Sequence, residues 1–202
     1  MGTGVAFMRH VCAAAVVVAT LSACGGEEPF AGSRIAPTGS PSASPTPVVA
    51  PPVGSRVVEG DTWRLAVPGN WEESRRTFED HGELVRWTEP SPSGPARVVV
   101  SVVVETEPEV DLLEQSFRLE QRLREQEVDV LRSTVRQAGT QEPAVLVQWT
   151  ENSRGDERRR QVWQLLARSK GGSIVNVVGF APLEEFATSP VAEVMGTLEV
   201  RG

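Results

Sequence analysis

Few side chains of this 202-residue chain suit covalent or acid–base chemistry, since it has two cysteines, two histidines and no tyrosine. Cys24 has the most informative setting, because it directly follows Leu21-Ser22-Ala23 and an uncharged apolar run over residues 11–21. A basic start, an apolar run of about 7–15 residues and small residues before a cleavage point are typical of an export signal. The run is shorter than the roughly 20 residues that span a bilayer. In an exported chain the Cys24 thiol would be a reactive group.

Leu21, two small residues, Cys24 and Gly25 resemble the lipobox of bacterial lipoproteins. In that family a diacylglyceryl group is attached to the cysteine thiol, and the chain is cut just before the modified residue. The resemblance implies a signal peptide over residues 1–23, lipid attachment at Cys24 and a location on the extracytoplasmic face of the cell membrane. Lipidation would also consume the Cys24 thiol. Cys12, the other cysteine, would be discarded with the signal, so the mature chain would have no free thiol. The alternative is an ordinary secretory signal with a cysteine near the cut by chance.

The composition changes abruptly after Cys24. Residues 25–55 contain seven prolines and almost no large apolar side chains, so they cannot bury enough surface to offset the entropy of ordering. Residues 24–55 are therefore predicted to be a lipidated cysteine followed by a tether. Residues 56–202 have the length of one domain with a stable core. The formal net charge of −7 argues against nucleic acid as a partner, which calls for a basic surface.

Hydrophobic periodicity predicts strands over residues 62–67, 83–88, 97–105, 128–136 and 173–181, and a hairpin of residues 144–150 and 161–169. Residues 108–126 have helical spacing, with Val110, Leu113 and Phe117 beside Leu112, Leu119 and Leu123 on one broad apolar face. Residues 183–198 also have helical spacing, and Pro190 favours a split there. Neighbouring strands with short turns indicate a largely antiparallel sheet.

The segment Leu65-Ala66-Val67-Pro68-Gly69-Asn70-Trp71 and the order of the later elements resemble the PsbP-like fold. With the lipobox and the proline-rich tether, the chain is similar to the LpqN-type lipoproteins of high-GC Gram-positive bacteria. The resemblance implies an α+β fold, an α/β/α sandwich in which a largely antiparallel sheet of six or seven strands is flanked by two main helices. It implies an accessory, assembly or carrier module without known catalysis, and it transfers no binding residue to a position of this chain.

Other candidates for chemistry are weak. His81 in Glu79-Asp80-His81-Gly82-Glu83 could ligate a metal or relay a proton, but adjacent residues of a strand do not converge, and a polar turn is the simpler interpretation. Arg158-Arg159-Arg160 is interpreted as a solvated strand end, with docking to an anionic group as the alternative. Arg154-Gly155-Asp156 is assigned no function. The sequence therefore predicts no catalytic residue, no cofactor and no metal site.

The chain has five tryptophans. Strand alternation predicts that four of them, Trp63, Trp87, Trp149 and Trp163, belong to the core. Trp71 follows a turn, and both exposure and a role as a cap over the core stay open. A packed core and an apolar groove for an acyl chain use the same residue types.

The leading expectation is a membrane-anchored, non-enzymatic module that binds an envelope protein or lipid. The alternatives are a lipid or glycolipid carrier with an apolar cavity and an envelope hydrolase with scattered carboxylates.

Overall fold

The computed structural model describes residues 50–78, 82–91, 97–152 and 158–202. Their strands and helices follow one another as β1 (Ser55–Glu59), β2 (Trp63–Pro68), β3 (Glu72–Phe78), β4 (Gly82–Thr88), β5 (Val99–Glu105), α1 (Leu112–Glu125), β6 (Val130–Val135), β7 (Ala144–Asn152), β8 (Arg159–Arg168), β9 (Ile174–Pro182), a 3-10 turn (Phe186–Thr188), α2 (Val191–Gly196) and β10 (Glu199–Val200). Among the described residues, no helix is long and apolar enough to cross a bilayer.

The main layer is a seven-stranded antiparallel sheet in the order β3-β4-β5-β9-β8-β7-β6. A smaller sheet has the order β1-β2-β10. The mixed α+β fold with a large antiparallel sheet and two helices is confirmed. The separate small sheet was not predicted, because β1 follows the tether directly and β10 is only two residues long.

Each face of the large sheet has its own apolar cluster, because side chains alternate along a strand. One cluster joins the large sheet to β2 and α2, and it includes Leu65, Val100, Val177 and Val194. The other lies under α1 and includes Leu112, Leu123, Val147 and Ile174. The small sheet and α2 therefore cover one face of the large sheet, and α1 packs on the other.

The broad apolar face predicted for the long helix is wrong at two positions. Leu113 and Phe117 are 52% and 55% exposed, whereas Ser116 is fully buried. The stripe that contacts the sheet is narrower and runs through Leu112, Ser116 and Leu123. The helix also starts later than predicted, because the Asp111 side chain accepts a hydrogen bond from the Glu114 backbone N–H at 2.8 Å and caps it.

The second helical segment is split, as Pro190 predicted. The 3-10 turn ends at Thr188, and Pro190 is the N-cap of α2. Gly179 of β9 lets this short helix lie close to the sheet. A Cβ at position 179 would be 2.5 Å from Val191 Cγ1 and 2.9 Å from Met195 Sδ, so a glycine is needed for this approach.

Four of the five tryptophans are buried. Trp63 and Trp87 meet edge to face with ring centroids 5.8 Å apart. Trp71, which the sequence left open, is buried in the same cluster, and Trp149 is buried as well. Trp163 is only partly buried, at 5.1 Å from the ring of Phe186.

Candidate functional site

Several of the sequence candidates lie outside the described residues. These are the signal peptide, Cys24, most of the tether, His81 and Arg154-Gly155-Asp156. Their interpretations stay predictions. Among the described residues, no three His, Cys, Asp or Glu side chains are grouped as metal ligands would be.

The arginine cluster does not form one patch. Arg159 is exposed at the start of β8, while Arg160 is partly buried and pairs with Glu151. The guanidinium of Arg160 also lies over the ring of Phe180, 4.4 Å from its centroid. The middle and last arginines of the cluster therefore point to opposite faces of the sheet, as strand alternation predicts.

One cleft lies between α1 and the large sheet. The helix packs against β6, β7 and β8, and a cleft of about 520 Å³ opens between it and strands β5, β8 and β9. Its lining is mainly polar and consists of Glu105, Glu109, Val110, Gln115, Arg118, Leu119, Gln121, Arg122, Glu125, Gln164, Leu166 and Asn176. We call it the α1 cleft.

Two amide side chains lie on the sheet side of the α1 cleft. Asn176 Oδ1 is buried and has no hydrogen-bond partner in the described part of the chain. Gln164 is partly buried, and its amide also lacks a partner among the described residues. Leu166 of β8 lies directly opposite Asn176 of β9. Gln164, two residues before Leu166, is therefore the diagonal neighbour of Asn176 on the same face of the sheet. Because buried polar groups are normally hydrogen-bonded, the Asn176 amide is suited to receive a polar ligand, with the partly buried Gln164 amide beside it.

The helix side of the α1 cleft carries charged and amide groups. Gln115 Nε2 donates to Glu105 Oε2 at 2.5 Å, which links α1 to the end of β5. Arg118 pairs with Glu114. Arg122 donates through Nε to the Arg118 carbonyl at 3.3 Å. Donors and acceptors therefore face one another across the cleft, an arrangement that suits a ligand rich in hydroxyl groups better than an acyl chain.

A smaller groove of about 440 Å³ lies at the C-terminal end of α1. Arg124, Asp129 and Leu131 are among its lining residues, together with Trp149. The Trp149 indole N–H donates to Glu151 Oε2 at 2.9 Å, so its polar atom is satisfied. The groove borders β6, the last strand of the large sheet.

The clearest electrostatic perturbation lies away from both clefts, at Glu73 of β3. The hydrogen bond from Arg75 Nε, 2.8 Å long, is the main cause that lowers the pKa of the Glu73 carboxyl. Partial burial opposes it, while the Trp87 indole N–H and the charges of Arg75 and Arg56 add to it. Trp87 is fully buried and donates to Glu73 Oε2 at 3.0 Å. This pair is structural, because it satisfies the indole of a core residue.

Sequence reasoning placed Gln164 and Asn176 on strands but did not single them out. Each interrupts an otherwise apolar face of an inner strand, Gln164 between Val162 and Leu166, and Asn176 between Ile174 and Val178. A polar residue at such a position, in a strand with neighbours on both sides, is the signal that could have identified the sheet side of the cleft.

No family model and no curated protein matches this chain. Among solved structures it is similar to LpqN, described as involved in cell envelope biogenesis of Mycobacterium tuberculosis, with 18% identity and a TM-score of 0.48 over 72% of this chain and 90% of that one. It is also similar to PA94 of Pseudomonas aeruginosa, a protein of unknown function, with 14% identity and a TM-score of 0.42 over 71% of this chain and 94% of that one. A Bacteroides thetaiotaomicron protein shares 14% identity, with a TM-score of 0.43 over 69% of this chain and 45% of that one.

Proposed function

We propose that this chain is a lipoprotein anchored through Cys24 to the extracytoplasmic face of the cell membrane, and that its domain is a non-enzymatic binding module for an envelope ligand. The observation that carries the anchor is Leu21-Ser22-Ala23-Cys24-Gly25 behind an uncharged apolar run. One acyl chain binds a membrane only marginally, but two chains hold stably. A diacylglyceryl group on Cys24 supplies two.

The tether gives the domain reach from the membrane. Its 31 residues with seven prolines favour extended polyproline geometry, which rises about 3.1 Å per residue. The span is then at most on the order of 90 Å. A domain on such a tether can bind a ligand in the envelope without crossing the bilayer.

The α1 cleft supports a polar ligand, such as the hydroxyl-bearing headgroup of an envelope lipid. Asn176 and Gln164 offer amides without protein partners, and Arg122 and Glu105 offer charged donors and acceptors close by. Most buried apolar side chains of the described residues are packed into the two clusters, whereas Leu113, Phe117 and Leu131 are exposed. These observations favour binding in a surface cleft over carriage of an acyl chain in the core.

The anchor is tested by comparing the full-length chain with its Cys24→Ser variant in a bacterial host that processes lipoproteins. The wild type is expected in the membrane fraction and the Cys24→Ser variant outside it. Cys12→Ser is the matched control, because Cys12 lies in the predicted signal and its loss should change nothing. An equal distribution of wild type and Cys24→Ser would refute the anchor.

The cleft is tested by titrating the protein with neutral oligosaccharides and with water-soluble glycolipid headgroups, followed by NMR or calorimetry. Asn176→Leu keeps the size of the side chain and removes its amide, and it should weaken binding at least tenfold. Gln148→Leu is the matched control, because Gln148 lies on the opposite face of the sheet. Equal weakening by both variants, or no binding of any probe by the wild type, would contradict the assignment of the cleft.

A further inference from the structure

Glu105, the last residue of β5, differs from the other partly buried carboxylates of the described residues. Each of the others pairs with an arginine, in the pairs Glu73–Arg75, Glu120–Arg132, Glu151–Arg160, Glu185–Arg97 and Glu199–Arg64. Glu105 is partly buried as well, but it accepts only the Gln115 amide and has no cationic partner in the described part of the chain. A charge withdrawn from water is costly unless it is paired. The α1 cleft therefore contains a carboxylate that lacks a counter-ion.

The arginines around this carboxylate are engaged elsewhere. Arg168 lies on the same face of the sheet, two strands away, because it and Glu105 are both opposite Ile174. Two strands correspond to about 9–10 Å, and Arg168 instead lies 3.8 Å from Glu142. Arg118 of α1 pairs with Glu114. The charge of Glu105 is thus left to whatever enters the cleft.

The unpartnered amide of Asn176 is a neighbour of Glu105 on the floor of the cleft. Val103 of β5 lies directly opposite Asn176 of β9. Glu105, two residues after Val103, is therefore the diagonal neighbour of Asn176 on the same face, at about 7–8 Å, which long side chains can bridge. Asn176 Oδ1 is buried without a donor among the described residues. A charged acceptor and a neutral acceptor thus lie side by side, and both lack a donor of matching kind.

We propose that this end of the α1 cleft, formed by Glu105, Gln115 and Asn176, binds a primary ammonium group of the ligand. We call it the β5 subsite. The inference rests on the proposed binding of a polar ligand in the cleft, and it names the chemical class of that ligand. A primary ammonium has one positive charge and three N–H donors. It can donate to the Glu105 carboxylate, to Asn176 Oδ1 and to the amide oxygen of Gln115, whose nitrogen already bonds to Glu105.

Other ligand groups match the β5 subsite less well. A hydroxyl group would give Asn176 a donor but would leave the charge of Glu105 unbalanced. A calcium ion takes 6–8 oxygen ligands, whereas no three acidic, histidine or cysteine side chains are grouped anywhere in the described ranges. An anionic group would be repelled by Glu105, and Arg122 lies seven residues after Gln115, about 10 Å further along α1. The ammonium is thus expected at the β5 subsite, with the polar remainder of the ligand toward Arg122.

Two envelope components have this chemistry, an amino sugar and an ethanolamine headgroup, and paired probes distinguish them. The full-length chain in non-ionic detergent is titrated at pH 6, where amines are protonated and carboxylates ionised. Glucosamine is compared with N-acetylglucosamine, in which the amine is capped and uncharged. Glycerophosphoethanolamine is compared with glycerophosphocholine, which keeps the positive charge but has no N–H donor. In the pair that matches the natural source, we expect the amine to bind at least tenfold more tightly than its counterpart.

A charge-removing variant tests the role of Glu105. Glu105→Gln keeps an acceptor for Gln115, and it should weaken binding of the amine about tenfold while binding of the counterpart without N–H donors stays the same. Glu125→Gln is the matched control and should change neither affinity. Glu125 also lines the cleft and also accepts from an amide of α1, Gln121 Nε2 at 3.1 Å, but it lies ten residues after Gln115, about 15 Å along the helix.

NMR supplies a measurement that needs no variant. The amine should shift the side-chain amide signals of Asn176 and Gln115 and leave those of Gln121 in place. Equal affinities within both probe pairs, or equal losses in Glu105→Gln and Glu125→Gln, would overturn the β5 subsite and leave the polar cleft standing. Binding of no probe at all would contradict the cleft and the subsite together.

Discussion

Arg132 joins the long helix to the edge strand β6 through three contacts. Its Nε lies 3.0 Å from Glu120 Oε2, a side-chain nitrogen donates to Ser116 Oγ at 3.2 Å, and its guanidinium stacks on Phe117 at 3.9 Å. A partly buried ion pair contributes about 1 kcal/mol, a cation–π contact about 0.5–1 kcal/mol and a hydrogen bond about 1 kcal/mol. Because these contacts share one side chain, their energies are not additive. We expect Arg132→Ala to lower the free energy of unfolding by about 2 kcal/mol.

The assay is urea unfolding of the full-length chain, followed by tryptophan fluorescence. Arg132→Lys keeps the charge but not the planar fork or the stacking, so it should lose about half as much. Arg159→Ala removes an exposed strand arginine without a described side-chain partner, and it should stay within about 0.5 kcal/mol of the wild type. If Arg132→Ala were as mild as Arg159→Ala, the attachment of α1 to β6 through Arg132 would be refuted.

Two further predictions concern the stability of the fold. The folded-state pKa of Glu73 is lowered mainly by the Arg75 hydrogen bond. The ionised carboxylate therefore stabilises the fold fully when the pH is above the unfolded-state pKa of the group, and this contribution is lost as the pH falls through the folded-state pKa. Glu73→Gln should therefore cost about 1 kcal/mol at pH 7 and less at pH 3, as measured by urea unfolding at both pH values; a cost that grows on acidification would contradict this sign. Gly179→Ala would push a Cβ to 2.5 Å from Val191 Cγ1 and should destabilise the domain by about 1–3 kcal/mol, whereas Gly171→Ala, with its nearest neighbour at 3.7 Å, should be nearly neutral in thermal unfolding; equal effects would show that α2 does not need the glycine.

The inner strands could be predicted from the sequence because one or both faces of each are apolar, so their periodicity is visible. Strand β3 could not, since its Glu-Glu-Ser-Arg-Arg stretch is exposed and carries no apolar period. The length of α1 was predicted within a few residues. Its orientation was not, because helical spacing cannot tell that Ser116 faces the sheet while Phe117 stacks on an arginine from β6.

The candidate cleft depends on neighbours that are distant along the chain. Gln115 and Glu105 meet only because α1 lies across the end of β5, and the amides of Gln164 and Asn176 share a face only through the pairing of β8 with β9. Such proximity is set by tertiary packing, which single-sequence patterns do not encode. The anchor is the reverse case, since Leu21-Ser22-Ala23-Cys24 is a local motif read directly along the chain.

The most direct test of the central claim is the mass of the amino-terminal peptide of protein purified from the membranes of a processing host. The account predicts a chain that begins at Cys24 and carries the added mass of a diacylglyceryl group on the thiol. An unmodified Cys24, or a chain that starts elsewhere, would contradict it.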